Sequence, residues 1–292
     1  ARSYIIFFTS HKLGLEIIEH LPKIEVNFFV DAFLKIRTFK GFSTRLKNLT
    51  IKLFLPKNHW DFAVVAGSYG NQIAKNNKIR NIVNTYAADV EAYKIAKNNA
   101  KENSKILDNK DFIVFLDNGL YVHPDESLSH LKVAGNSKQF TAQLILAFER
   151  IEKISGKKLV IAAHPKIPDD YYKKYFKSFS VFYGKTANLV LKSSHVFIVN
   201  SSSINFAVLA NKPISFLTNL NIKSSYIYPY TKKWVKLLGA NIYDLDNLDE
   251  ISVQNNYNAK KYKLYIDEYL KYPGTPTNVS KWKPLIDWIH KN

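Results

Sequence analysis

The chain has 292 residues, 46% of them hydrophobic and 14% aromatic, which is enough apolar side chain for two α/β domains and too much for a disordered chain. It has no methionine and no cysteine, and the missing cysteine excludes a disulfide scaffold, a thiolate metal site and a cysteine nucleophile. Lys and Arg number 42 against 24 Asp and Glu, a formal charge of +18 that implies an anionic partner.

In chain order, short continuous apolar runs alternate with polar loops and helical spacing, the pattern of parallel strands buried on both faces. Tyr4–Phe8 predicts a first strand rather than a signal peptide, because the apolar run is short and no small-residue cleavage site follows. Helical spacing over Leu13–Leu21 and a strand at Glu25–Val30 come next, then a basic stretch from Lys35 to Lys52. Asp61–Ala66 predicts a strand, Gly67-Ser68-Tyr69-Gly70 a glycine turn into a helix through Lys75, Ile79–Thr85 a strand and Val90–Ala100 a helix. The polar run Lys101–Lys110 reads as a linker.

The pattern then restarts. Strands are expected at Phe112–Leu116, Leu159–Ala163, Ser180–Tyr183, Val196–Val199 and Ile214–Leu217. Helices are expected over Phe140–Ile154, closed by Gly156, and over Thr186–Lys192 and Ile204–Ala210. The last forty residues read as mostly helical with a break at Pro273-Gly274-Thr275-Pro276. The expected domains are 1–105, 106–272 and a helical tail 273–292. No apolar run approaches the roughly 18–20 residues that span a bilayer. Dinucleotide-fold glycine motifs, Walker loops, zinc-protease, lipase and zinc-finger signatures are all absent from the sequence.

In open parallel sheets ligands bind beyond the carboxyl ends of the strands, so the residues after each strand carry the chemistry. Asp117-Asn118-Gly119 follows the Phe112–Leu116 strand, where the aspartate suits a general base and the triplet also suits a plain turn. Asp125 and the His123-Pro124 pair lie in the same loop, and the sequence does not rank Asp117 against Asp125. His164-Pro165-Lys166 follows Leu159–Ala163, and a histidine there can donate to a phosphate or act as a general acid near neutral pH. Ser201-Ser202-Ser203 opens a helix, so its hydroxyls and the free amides of the first turn form an expected anion site, with a simple helix cap as the alternative. On the first domain, Ser10, His11, Gly67 and Ser68, with His123 from the second, are expected acceptor-side residues. Asp244-Leu245-Asp246 reads as solvated surface and Asp169-Asp170 as a helix N-terminus, so no metal site is expected.

Leu116-Asp117-Asn118-Gly119, Ala163-His164-Pro165-Lys166 and Asn200-Ser201-Ser202-Ser203 together resemble, in order and placement, the acidic–glycine, HP and serine/threonine motifs of bacterial sialyltransferases of the GT-B fold. Residues 111–220 carry the likeness, which extends to surface-carbohydrate (capsule or lipopolysaccharide) biosynthesis proteins. Asn118 replaces the second acidic residue of the first motif. The resemblance implies two Rossmann-like domains with parallel sheets facing a central cleft and a C-terminal helix packing back on the first. It also implies inverting, metal-independent and cofactor-free transfer of an acidic sugar (sialic acid, another nonulosonic acid or Kdo) from a CMP donor to a surface glycan acceptor. Asp117 would be the base and His164 the group on the departing phosphate, while Asn118, Gly119, Pro165, Lys166 and Ser201–Ser203 would bind the donor.

Rival readings are a CDP-glycerol-type polyol-phosphate transferase, a UDP-sugar enzyme of the same fold, and a basic protein binding nucleic acid or anionic glycan. Nucleic acid is not the expected partner, because lysine is spread over helices and linkers and arginine is scarce. The expected partners are a nucleotide sugar and an oligosaccharide or lipid-linked glycan. The expected location is cytoplasmic. The tail Lys260–Lys291, whose aromatics are Tyr262, Tyr265, Tyr269, Trp282 and Trp288, reads as a helix whose aromatics pack back on the first domain. The alternative is peripheral contact of the tail and of Lys35–Lys52 with an anionic inner membrane.

Overall fold

The computed structural model describes residues 5–8, 62–99, 111–124 and 133–291. The predicted Leu13–Leu21 helix, the Glu25–Val30 strand, the basic stretch 35–52, the linker 101–110, and Ser10, His11 and Asp125 lie outside these residues. The chain divides into two compact units, one made of 1–86 with 271–292 and the other of 87–270. Both are parallel α/β units, as the alternating pattern implies.

Among the described residues, the first unit has a parallel sheet of order β1 (Ile5–Phe8), β2 (Phe62–Ala66) and β3 (Asn81–Thr85). Alternate residues of β2 serve opposite faces. Ala63 and Val65 pack with Ala74 and Ile79, beneath α1 (Gly67–Asn76). Val64 and Val83 pack with Leu285 and Trp288 of the C-terminal helix, Lys283–Lys291. The tail is tied down by polar contacts as well, since the Thr85 hydroxyl donates to the Lys281 carbonyl and the Tyr86 hydroxyl to that of Val279.

The second unit begins at α2 (Ala88–Asn98). The sequence put this helix before the linker and hence in the first domain. Its contacts are instead with α5 (Thr186–Lys192) and α6 (Ile204–Leu209), and Asn205 donates its amide to Asp89 at 2.6 Å. The remaining strands are β4 (Phe112–Leu116), β5 (Lys158–Ala162), β6 (Ser180–Phe182), β7 (His195–Ile198), β8 (Ile214–Thr218) and β9 (Asn241–Asp244). They pair in parallel in the order β6-β5-β4-β7-β8-β9. From β4 the chain winds outward to β6, returns to β7 beside β4, and winds outward the other way. The order reverses between β4 and β7, and open α/β sheets hold their ligands beyond the carboxyl ends of the strands at such a switch point.

Every residue of β4, β7 and β8 is buried, which accounts for the unbroken apolar run of β4 and the mostly apolar runs of the other two, where His195, Ser215 and Thr218 are buried with the rest. Ile113, Phe115, Leu159, Ile161 and Phe197 face α3 (Ser137–Ser155), whose Leu144, Phe148 and Ile151 recur at helical spacing. The Phe148 ring sits 4.8 Å from that of Phe115 and 5.4 Å from that of Phe179. Gly156 ends α3 at φ 67°, the left-handed conformation a glycine cap supplies. Following β8 come α7 (Leu220–Lys223), α8 (Tyr228–Leu238), β9 and α9 (Ala259–Tyr265), and a wound segment Ile266–Leu270 leads back to the first unit and α10 (Lys283–Lys291). Tyr262, Tyr265 and Tyr269 are buried, so these three tail aromatics belong to the core and not to a surface. No helix among the described residues is long and apolar enough to cross a membrane.

Candidate functional site

The loop after β4 is folded by its own aspartate. Asp117 donates its peptide N–H to the Ala162 carbonyl at 3.2 Å and accepts the Gly119 N–H on Oδ1 at 2.9 Å, the short-range bond expected of an Asp-x-Gly turn. Gly119 has φ 66°, and a Cβ on it would lie 2.5 Å from Ile167 Cδ1, so only glycine lets this loop close onto the loop after β5. The Gly119 carbonyl accepts the N–H groups of Val122 and His123 at 2.9 and 2.8 Å. That coil brings the His123 ring to 4.7 Å from the His164 ring, edge to face. Sequence reasoning assigned His123 to the acceptor side; the fold puts it beside His164.

In the loop after β5, the His164 carbonyl accepts the Ile167 N–H at 3.1 Å, and His164 Nδ1 accepts the Lys166 N–H at 3.3 Å. With Nδ1 accepting, the neutral imidazole carries its proton on Nε2. Pro165 and Lys166 are exposed and His164 is half-buried. The bridge between the two loops is Tyr172 of α4 (Asp169–Tyr175), which is 1% exposed. Its hydroxyl accepts the His164 N–H at 3.0 Å and donates to Asp117 Oδ2 at 2.5 Å. Sequence reasoning singled out Asp117 and His164 but not the tyrosine that connects them.

Burial pushes the Asp117 carboxyl above the usual carboxylate range, opposed by the hydrogen bonds from Tyr172 and Gly119 and by His164. Burial likewise raises Tyr172, and the Asp117 charge adds to it, so the phenol keeps its proton. The neighbouring Tyr171 is pushed up to about 12, mainly by burial, and its hydroxyl meets that of Thr141 at 2.7 Å. Asn118 presents a buried Oδ1 with no hydrogen-bond partner.

The serine run shows neither the free first-turn amides of the expected anion site nor the side-chain bond of the alternative helix cap. Ser203 makes no side-chain cap bond, and the N–H groups of Ile204, Asn205 and Phe206 already donate to the carbonyls of Ser201, Ser202 and Ser203 at 3.2, 3.1 and 3.1 Å. Ser201 Oγ accepts the Ser203 N–H at 3.3 Å. The first-turn amides are therefore spent within the turn, and what the segment offers an anion is the hydroxyls of Ser202, which is exposed, and Ser203, which is half-buried. By strand order these follow β7, next to the Asp117 loop at the switch point.

Gly67 and Ser68 stand at the end of β2 in the other unit, with Gly67 buried at φ 74° and Ser68 half-buried. Asp244 and Asp246 are more than solvated surface. Asp244 pairs with Lys223, while Asp246 accepts the Leu220 N–H at 2.9 Å and the Gln143 amide at 2.6 Å. Among the described residues no three His, Asp or Glu side chains converge as a metal-binding group.

No family model matches the chain, and no curated protein does. Solved structures give distant likenesses. The wall teichoic acid polymerase TagF superposes with TM-score 0.47 at 16% identity, covering 87% of this chain and 63% of its own. The UDP-GlcNAc 2-epimerase of Methanocaldococcus jannaschii, in complex with UDP-GlcNAc and UDP, gives TM-score 0.44 at 15% identity, covering 86% of this chain and 82% of its own. The chain thus spans about 63% of the length of the polymerase.

Proposed function

We propose that the protein is an inverting glycosyltransferase that moves an acidic sugar from a CMP donor held in the 87–270 unit to a surface glycan. The observation that carries this reading is the juxtaposition, at the switch point of a parallel sheet, of a half-buried carboxylate and a histidine joined through one tyrosine. Asp117 takes the proton of the acceptor hydroxyl as its oxygen bonds to the anomeric carbon. The bond from that carbon to the donor phosphate oxygen breaks, and His164 Nε2–H donates to the departing CMP phosphate. The Ser202 and Ser203 hydroxyls and Lys166 neutralise the same charge, and the buried Asn118 Oδ1 accepts from a donor group of the nucleotide or sugar. In this reading no metal takes part.

A second reading has its own support. The imidazole pair His123–His164 fits a phosphoryl group flanked by two donors, as transfer of a polyol phosphate from a CDP donor would need. For the acceptor, an oligosaccharide or lipid-linked glycan on the anionic inner membrane suits the charge of +18. Ile286 and Ile289 of α10 and Trp282 just before it support that location, since they are 46, 53 and 41% exposed.

Thermal-shift screening with CMP, CDP, UDP and GDP, followed by turnover with CMP-sugars and CDP-glycerol, tests both readings. Stabilisation by CMP that is lost in His164→Ala and Ser202→Ala supports the first, and glycerol phosphate transfer lost in His123→Ala supports the second. Stabilisation by UDP alone overturns both.

A further inference from the structure

We propose that Tyr172 is a positioning residue, a phenol bridge that fixes the Asp117 carboxylate to the backbone of His164 so that the two reactive groups move as one. The inference rests on the functional reading above for what those groups do, but its geometry stands alone.

Other buried tyrosines of the described residues satisfy their hydroxyls on neutral groups, Tyr86 on the Val279 carbonyl, Tyr262 on the Lys212 carbonyl and Tyr265 on the Asn205 side-chain carbonyl. Tyr172 instead donates to a carboxylate 55 residues away while accepting the N–H of a histidine eight residues back. The Ala162 carbonyl, one strand over, also holds the Asp117 N–H. The ends of β4 and β5 are thereby locked at two points, one between main chains and one through the phenol. At 1% exposure the phenol meets no competing water, and a bond to a charged acceptor is stronger in that setting. Tyr172 is itself held by packing, its ring 5.4 Å from Tyr171, 6.0 Å from Phe176 and 5.7 Å from Tyr183.

The bridge also has a protonic consequence. A phenol that donates to Oδ2 favours the ionised carboxylate, which is the form a base requires. The groups around Asp117 are the Gly119 and Asn118 N–H groups in its own loop, His164 with His123 against it, Tyr171 and Tyr172 on α4, and Tyr183 after β6. Among these, Tyr172 and Gly119 bond directly to the carboxylate.

The test uses the full chain labelled with carbon-13 at Asp Cγ and Tyr Cζ, with Asp117→Asn and Tyr172→Phe assigning the two signals. In the wild type both signals are expected to titrate with one midpoint, and separate midpoints would overturn the bridge. In Tyr172→Phe the Asp117 midpoint should rise by about one pH unit or more, as loss of a hydrogen bond to a charged group implies. An unmoved midpoint would equally sink the proposal. Where the variant fails to fold, the Tyr172 signal is assigned instead through its ring contacts with Tyr171 and Phe176, and the wild-type measurement decides the matter. With the donor identified, the acid limb of kcat/KM should move with the carboxylate while KM changes little. A coupled titration in a protein that turns over no nucleotide donor would keep the bridge and remove the transferase reading, and turnover with uncoupled titrations would do the reverse.

Discussion

Gly119→Ala isolates the geometry on which the site depends. The residue stands at φ 66°, where a Cβ costs about 1–2 kcal/mol. That Cβ would also lie 2.5 Å from Ile167 Cδ1 and 2.8 Å from Cγ1, so the isoleucine must leave its position in the core, an overpacking cost of about 1–3 kcal/mol. The expected loss is therefore about 2–5 kcal/mol. Because Gly119 donates its N–H to Asp117 Oδ1, the displaced loop also releases one hold on the carboxylate. Ile167→Ala alone removes a side chain that is 3% exposed and should cost about 2–4 kcal/mol as a cavity. In the double variant the two should compensate, costing less than the sum of the singles by about 1–3 kcal/mol. Urea unfolding, with hydrogen exchange of the β4 and β5 amides as the local report, measures all three. Strict additivity would refute the contact with Ile167, and a Gly119→Ala cost under about 1 kcal/mol would refute the positive-φ requirement as well.

The remaining predictions concern other parts of the molecule. His195 is buried between the Gln254 carbonyl and Ser215 Oγ, and burial lowers its pKa to about 4 from 6.5. The unfolded chain then binds one more proton between those pH values, so stability should fall as pH drops from about 6.5 to about 4, by roughly 3 kcal/mol in total. Comparing urea midpoints of wild type and His195→Gln across this range isolates the contribution, and parallel pH curves would contradict it. Leu285→Ala should cost the 1–86/271–292 unit about 2–4 kcal/mol by uncovering Val64 and Val83, read as faster exchange of the β2 and β3 amides. Replacing Trp282, Ile286 and Ile289 together by serine should abolish sedimentation with phosphatidylglycerol vesicles while leaving the circular dichroism unchanged; unaltered binding would remove α10 from the membrane reading.

The elements legible in the sequence are those whose burial leaves no choice of residue. β4 is apolar throughout and β7 and β8 are mostly so because they are buried on both faces, and α3 shows its face because Leu144, Phe148 and Ile151 all meet the sheet. β9 was not legible, since as an edge strand it buries only Tyr243, and Asn241 and Asp244 at its ends read as loop. α8 buries only Thr231 and Leu238 and so carries almost no period. The placement of α2 shows a different limit. A polar run after the helix looks like a domain boundary, but which unit owns the helix is decided by the contacts of Val90, Ala96 and Asp89, and chain order does not encode them.

The site shows the same division. Asp117, His164 and the serines could be named because they follow strands, and strands were legible. What each residue does there depends on hydrogen bonds that spacing does not predict. The serine hydroxyls were expected to be reinforced by free helix amides, yet a turn tight enough to leave β7 and enter α6 directly uses those amides itself. The site therefore lacks the helix-end donors that would hold an anion without side chains, and the work shifts to hydroxyls and imidazoles that can be altered one at a time. A site built this way should lose nucleotide binding in steps, with Ser202→Ala and Ser203→Ala each weakening it by roughly three- to tenfold and His164→Ala by more, as one neutral and one charged hydrogen bond imply. Calorimetric titration of the stabilising nucleotide into each variant reads these losses. Full-strength binding in the Ser202→Ala/Ser203→Ala double variant would mean that the anion is held by the backbone after all.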